Sequence, residues 1–388
     1  MAPYFERNNP YNEGKVIEAC SLFGMMDRSG GRFSGEDIIN AIGIMHDRGN
    51  GLGGGFSAYG IYPEHAQAFA LHIMFEDKSH QYPVEDFLKH HFNLLTDEEI
   101  PTRPAKGVTR PPVLWRYFLE VENYKRRDQT EEDYMVEKVM AINATFEGAF
   151  VFSSGKNMGV FKGVGYPEDI GRFFRLEEYN GYLWTAHGRF PTNTAGWWGG
   201  AHPFSILDWT VVHNGEISSY GANRRFLEMY GYQCTMHTDT EVMAYAVDLL
   251  IRKHGLPVEM AAKVMAAPLW SQIDRMPEEE RNQYQILRQV YPSLLMNGPF
   301  TVVIAHQGEM IGLTDRIRLR PLTVGVKGPM LYLSSEESAI RLICRDLDKT
   351  WIPMGGEPVI GRLGEHVPAE AQLDGMDGKL VAFKGGVA

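Results

Sequence analysis

Cysteine is scarce in this chain. Its three cysteines, Cys20, Cys234 and Cys344, are too few and too scattered for a disulfide framework or a metal cage. No C-x-x-C occurs, which argues against an iron–sulfur cluster here. Positive charge is also short: 38 lysines and arginines face 49 aspartates and glutamates, a net charge of -11. With no basic tail or stripe to neutralise phosphates, a nucleic-acid-binding surface is not expected. No apolar run approaches the roughly 20 residues of a membrane span. Residues 1–19 lack the apolar stretch of a secretory signal, so the expected location is the cytoplasm. His65, His72, His80, His90 and His91 show no i, i+4 ligand spacing on one helix face, and no metal site is expected. What is present is ordinary globular composition, 44% apolar and 22% charged, in 388 residues that can bury a large core.

The chemistry is concentrated in residues 181–241. This stretch contains G-Y-L-W-T-A-H-G-R-F-P-T-N-T (181–194), A-H-P-F (201–204), W-T-V-V-H-N-G-E (209–216) and H-T-D-T-E (237–241). Residues 182–186 read as a strand whose end presents His187 and Arg189 before Pro191 breaks the pattern. Residues 209–212 read as a second strand stopped by Asn214-Gly215, a pair suited to a turn. A side-chain amide beside an exposed glycine N–H offers two donors for an oxyanion. Thr238 to Glu241 reads as a capping box opening a helix over 239–252. Each piece has a bland reading: a turn, a cap favoured by the helix dipole, a surface ion pair. Together they supply a guanidinium, a carboxylate and an oxyanion pocket, and what they lack is a nucleophile.

The start of the chain can supply it. After a polar leader, residues 19–26 form a compact apolar strand containing Cys20. A helix follows, capped near Ser34, with Ile38, Ile42 and Met45 on one face. The glycine-rich run over 48–56 follows a helix and lacks Gly-Lys-Ser/Thr, so it is not a phosphate loop; its glycines suit close backbone approach. Residues 76–175 alternate polar helical segments with strands and read as a small inserted α+β subdomain, with a hairpin turn at 153–157. Helices then fill 257–295, strands return over 301–333, and a helix carries Ile340, Ile343 and Cys344. Cys344 reads as a buried helix thiol and Cys234 as lying in or near a strand. Strands at both ends with helices between predict an α+β fold of two stacked sheets covered by helices.

With Cys20, Arg189, Asn214-Gly215 and Asp239 together, the sequence resembles the class II glutamine amidotransferases of the N-terminal-nucleophile hydrolase superfamily. Within them it looks most like the stand-alone amidotransferase subunit of archaeal-type glutamate synthase. The supporting text is C-S-L-F-G-M-M-D-R-S-G (20–30), H-D-R-G-N-G-L-G-G-G-F (46–56), the four motifs above, D-R-I-R-L-R-P-L (315–322) and S-S-E-E-S-A-I (334–340). The resemblance implies a four-layer αββα sandwich, with an amidotransferase domain over 20–75 and 176–388 and a leader over 1–19. It implies Cys20 as nucleophile, with its own α-amino group as general base once the leader is removed. Arg189 would hold the substrate α-carboxylate and Asp239 its α-ammonium; Asn214 and Gly215 would form the oxyanion hole. Arg48, Thr192 and His213 carry over as neighbours. A thiol near pKa 8.5 beside an α-amine near 7.7–8.0 can exchange a proton at neutral pH, which agrees with that pairing. Ser21 stands where the family usually has glycine, Pro191 where serine is common and Arg318 where a turn glycine is usual.

The implied function is a glutaminase subunit that hydrolyses L-glutamine and passes ammonia to a separate synthase chain. The implied partners are the central flavin subunit of a glutamate synthase acting on 2-oxoglutarate and its reductase subunit, with FMN and iron–sulfur clusters on those chains and no cofactor or metal on this one. N-methylglutamate synthase is the alternative assembly. Two other classes of reading are a catalytically silent glutamine-sensing or scaffold subunit, and an acylase for a different amide; the Arg189–Asp239 pair, suited to a free amino acid, argues against the last.

Overall fold

The computed structural model describes residues 20–190 and 196–365; the expected leader and Thr192 lie outside them. Seven antiparallel strands form the first sheet, in the order Lys349–Trp351, Thr323–Lys327, Met330–Ser334, Ser21–Asp27, Leu183–Gly188, Gly54–Tyr59, Met158–Gly163. Five form the second: Phe204–Ile206, Trp209–Gly215, Phe300–His306, Glu309–Thr314, Val359–Arg362. The central strands of both are buried along almost their whole length, because each sheet has one face on the other sheet and one under helices. Leu22, Phe23, Met25 and Met26 share a core with Val212, Val303 and Met310. Gly24 permits the close approach: a Cβ there would lie 2.9 Å from Met310 Sδ and 3.1 Å from Val303 Cγ1.

Helices Glu36–Gly43, Pro167–Phe173 and Glu337–Ile343 cover the first sheet, and Asp239–Val247 with its neighbours covers the second. The result is the four-layer αββα sandwich. No described helix is long and apolar enough to cross a membrane.

A third, four-stranded sheet, Asn93–Glu99, Val113–Glu120, Phe69–Phe75 and Ala149–Ser153, stands beside the sandwich. Its membership differs from a unit bounded at 76 and 175. Phe69–Phe75 lies before 76 but pairs within this sheet, whereas Met158–Gly163 and Pro167–Phe173 belong to the first sheet and its helix layer. Both strands are apolar and buried on both faces, so nothing in their composition tells one sheet from the other. For the same reason residues 153–157 do not make a hairpin: the strands they join sit in different sheets. Cys234 is buried in the loop before Thr238 and not in a strand. Cys344 is half-buried at the C-terminal cap of its helix.

The hairpin joining Phe300–His306 to Glu309–Thr314 carries a titratable latch. His306 Nε2 lies 3.2 Å from Glu309 Oε2, and its Nδ1 lies 3.6 Å from Asp208 Oδ2. Burial alone would depress this imidazolium, but the two carboxylates outweigh burial and push it up to about 9. A folded-state value above the unfolded one means stability fully present below about pH 6.5 and lost as pH rises through about 9. His306→Gln should therefore destabilise the protein by about 1–3 kcal/mol at pH 6 and by little at pH 10. Urea unfolding of both proteins at the two pH values checks this, and an equal difference at both would contradict it.

Candidate active site

Antiparallel pairing decides which residues meet. Ser21 is opposite Gly188 and Leu22 opposite His187, so Cys20 lies where the chain leaves the neighbouring strand at Arg189. The Phe190 N–H donates to Cys20 Sγ at 3.3 Å, and the Arg189 N–H donates to the Gly53 carbonyl at 2.8 Å. The glycine run makes room here. A Cβ on Gly53 would lie 3.2–3.4 Å from Arg189 and Ala201, and one on Gly55 would lie 2.2 Å from the His202 carbonyl. Arg48 donates from Nε and Nη2 to the Cys20 carbonyl, both at 3.2 Å, and from Nη1 to Glu336 Oε1 at 2.8 Å. Glu336 thus holds the arginine that holds the backbone of Cys20. Burial pushes the Cys20 thiol up; the Phe190 N–H and the charges of Arg189, Arg320 and Arg48 oppose it without reversing it.

The second sheet brings the Asn-Gly corner to the same place. His187, on the first sheet, lies with Nε2 2.8 Å from the carbonyl of His213, immediately before Asn214. His202 stacks on His187 with ring centroids 4.1 Å apart, and the His213 N–H donates to His202 Nδ1 at 3.4 Å. Burial holds His187 down to about 3 and His202 well below its usual value, so both rings are neutral at neutral pH. The Thr240 hydroxyl is a hub, 3.2 Å from each of His202 Nε2, His213 Nδ1 and Asp239 Oδ1. Asn214 pairs with Thr301, whose hydroxyl donates to the Arg320 carbonyl at 3.0 Å; Arg320 is one of the cations acting on Cys20. Gly215 has φ +151°, and a Cβ there would lie 2.0 Å from the Pro299 carbonyl, so the corner admits only glycine. Asn214 Nδ2 and His213 Nε2 are buried without a hydrogen-bond partner among the described residues. Orphaned buried polar atoms of this kind call for an explanation such as a ligand.

Asp239 opens its helix, where the dipole favours negative charge. Burial would raise its carboxyl, but His213, the Ile217 N–H at 2.9 Å and Thr240 hold it down to about 2, so it is ionised throughout the neutral range. Burial lowers Arg189, while the charges of Cys20 and Asp239 support its cation. A cation, a fixed carboxylate, a sulfur and an unpartnered amide therefore share one corner.

Two residues that carry much of this arrangement give little sign in the sequence. Lys162 is fully buried, donating to the carbonyls of Gly199 at 2.9 Å and Pro203 at 3.2 Å, with Nζ 4.4 Å from the centre of the Phe204 ring. Glu241, two residues beyond Asp239, does not complete a capping box. Its carboxylate accepts the N–H groups of Thr235 at 3.1 Å and Met236 at 3.0 Å and fixes the loop before the helix. Burial lowers Lys162 to about 7 and raises Glu241 to about 7, each resisted by the other's charge. Lys162 lies in an apolar strand far from any motif, and only its charge in such a context could have drawn attention to it. Glu241, Thr240 and Glu336 lie inside quoted motifs without their partners being readable.

The family model described as glutamine amidotransferases class-II matches residues 93–349, a span that includes Arg189, His213, Asn214, Gly215 and Asp239 and begins after Cys20 and Arg48. The chain belongs to that family, whose members are enzymes with an N-terminal cysteine nucleophile. An uncharacterized protein of Archaeoglobus fulgidus is 61% identical over 355 residues, covering 90% of this chain and 93% of that one. The amidophosphoribosyltransferase of Methanocaldococcus jannaschii is 26% identical over 226 residues, 57% of this chain and 42% of that one. The glutamate synthase [NADPH] large chain of Bacillus subtilis is 27% identical over 208 residues, 47% of this chain and 13% of that one. This chain thus spans less than half the length of these two named enzymes.

Lys162→Met removes the donor to two carbonyls and the positive charge that favours ionised Glu241. It should destabilise the fold by about 2–4 kcal/mol. Adding Glu241→Gln should recover part of that loss; urea midpoints of the wild type, the two single variants and the double variant test the coupling, and strictly additive losses would refute it.

Proposed function

We propose that this chain hydrolyses L-glutamine to glutamate and hands the released ammonia to a separate synthase subunit. The observation that carries the reading is the meeting of Cys20, Arg189, Asp239 and the Asn214–Gly215 corner where three strands end. In this reading the Cys20 sulfur attacks the side-chain amide carbon of glutamine. The carbonyl oxygen becomes an oxyanion received by Asn214 Nδ2 and the Gly215 N–H. Collapse expels ammonia and leaves a thioester, which water cleaves to glutamate and the free thiol. Arg189 receives the substrate α-carboxylate in charge-assisted hydrogen bonds, and the ionised Asp239 faces its α-ammonium. Arg48 holds the Cys20 backbone; His213, with Thr240, steadies Asp239 and the oxyanion corner; Thr192 follows Arg189 and is assigned to the substrate side by resemblance.

The proton must go to a base. Cys20 serves as its own through the α-amino group, which requires that the active chain begin at Cys20. The proposed acceptor is 2-oxoglutarate on a glutamate synthase partner, whose flavin and reductase chains would carry FMN and iron–sulfur clusters. The motif set over residues 20–340 and the likeness to the Bacillus subtilis large chain support this choice.

Cys20→Ala should abolish ammonia release from glutamine while leaving the unfolding midpoint within a degree or two. Asn214→Ala should lower kcat by about 10²–10³ with a small change in KM, the signature of a donor used in the transition state. Intact mass of the active sample should correspond to a chain starting at Cys20. A fully active sample retaining residues 1–19 would overturn the role of the amine, and equal turnover of N-acetylglutamine would overturn the roles of Arg189 and Asp239.

A further inference from the structure

The segment from Asp315 to Arg320 makes a turn that displays large apolar side chains to solvent. Ile317 is 56% exposed and Leu319 58%; on the adjoining segment Ile352 is 58% and Met354 68% exposed. The two segments touch: Arg318 Nη1 donates to the Pro353 carbonyl at 3.2 Å, and a Cβ on Gly355 would lie 2.6 Å from the Arg316 carbonyl. Single exposed apolar residues are ordinary, but four together on neighbouring segments form a patch that water disfavours.

The turn is braced. The buried carboxylate of Asp315 accepts the N–H groups of Ile317 at 3.0 Å, Leu319 at 2.8 Å and Phe300 at 3.1 Å. Arg316 Nη2 donates to Asn297 Oδ1 at 3.0 Å. Between the two apolar residues, Arg318 has φ +56°, a left-handed conformation normally left to glycine. A side chain is kept where glycine would relieve strain, and that side chain is a cation. Held this way, the apolar residues lose little freedom on being covered, which favours binding.

We propose that this turn and the 352–354 segment form the docking surface for the ammonia-consuming subunit; the inference rests on the function proposed above. Position favours that occupant. Arg320, at the inner end of the turn, acts on the Cys20 thiol, and Phe300, bonded to Asp315, is the cross-strand partner of Gly215. A subunit seated here stands next to the place where ammonia leaves. Charge refines its chemistry: Arg316 and Arg318 border Ile317 and Leu319, while the exposed Glu357 accepts the Met354 N–H at 2.9 Å, so the complementary surface is apolar with acidic groups facing the arginine side. A second copy of this chain is disfavoured, because a two-fold contact through this patch sets one arginine-bearing turn against another.

The test uses the full chain carrying an affinity tag, expressed in its source organism as wild type, as Ile317→Glu/Met354→Glu, and as Arg318→Glu. Each isolate is assayed for ammonia release from glutamine and for glutamate formation from 2-oxoglutarate with ammonium chloride and a reductant. Sedimentation velocity gives the mass of each assembly. We expect ammonia release within twofold of wild type in both variants. Co-isolated ammonium-driven synthase activity should fall at least tenfold in the double variant, and severalfold, more so at low salt, in Arg318→Glu. If the double variant does not fold, Arg318→Glu alone decides. Variants that retain the wild-type assembly and synthase activity would overturn the proposal, as would a wild-type chain that is only monomeric or only a dimer of itself. A wild-type assembly that uses ammonium on another carbonyl acid, and that the variants lose, would keep the docking surface and correct the acceptor instead.

Discussion

The contact between His187 and the carbonyl of His213 is the constraint on which the site depends. It joins the two sheets one residue before Asn214, at the opposite end of the shared layer from the bonds that Ser57 and Tyr59 make to Thr210. A directional hydrogen bond in a buried layer sets a position that packing alone leaves loose. His202 and Thr240 extend it to Asp239, so the carboxylate proposed to face the substrate α-ammonium and the proposed oxyanion donor are referenced to the strand carrying Cys20. The rings serve as neutral spacers: burial holds His187 and His202 well below the range in which they would charge. A charged ring here would face Arg189 at close quarters.

Glycine does the complementary work of bringing backbones together. At Gly24 it lets the two sheets close, at Gly53 and Gly55 it admits Arg189 and the His202 carbonyl, and at Gly215 it allows a backbone angle and a clearance that any Cβ would destroy. These are backbone requirements, and such requirements are what a single sequence expresses most openly. That is why the strand ends before Arg189 and at Asn214-Gly215, and the helix start at Asp239, could be placed before any coordinates, each marked by glycine, proline or a cap, whereas Cys20 was singled out by the resemblance. The stacked sheets under helices followed from the same apolar runs.

What could not be read is what long-range side-chain contact creates. Arg48 and Glu336 are 288 positions apart, and no local pattern pairs them. Lys162 sits in an otherwise apolar strand with no motif around it, and its partners Gly199 and Pro203 become partners only after the loop folds back. The border of the third sheet was obscure for another reason. Phe69–Phe75 and Met158–Gly163 are both buried along their whole length and mostly apolar, and periodicity reports that a strand is buried, not which sheet it joins. Glu241 shows how a local rule can mislead: a capping-box spacing is present, yet its carboxylate is taken by the N–H groups of Thr235 and Met236 in the loop before the helix.

The electrostatics of Cys20 bear on how its sulfur could be activated. Three arginines act on it and an N–H points at it, the surroundings in which reactive thiols usually lose their proton easily. Here burial outweighs them and the thiol is pushed up. The three arginines and the N–H therefore do not by themselves bring the thiol below its ordinary value. Arg48 and Arg189 are already committed, one to the Cys20 carbonyl and Glu336, the other to a position between Cys20 and Asp239. A thiol that stays protonated in its resting state needs a base placed against it at the moment of attack. The described side chains whose charge acts on it are all arginines, which cannot accept a proton. The acceptor in reach by covalent geometry is the nitrogen of Cys20 itself, and it is a base only when it is an amine. In the proposed mechanism a free α-amino group at Cys20 is the base that offsets the raised thiol.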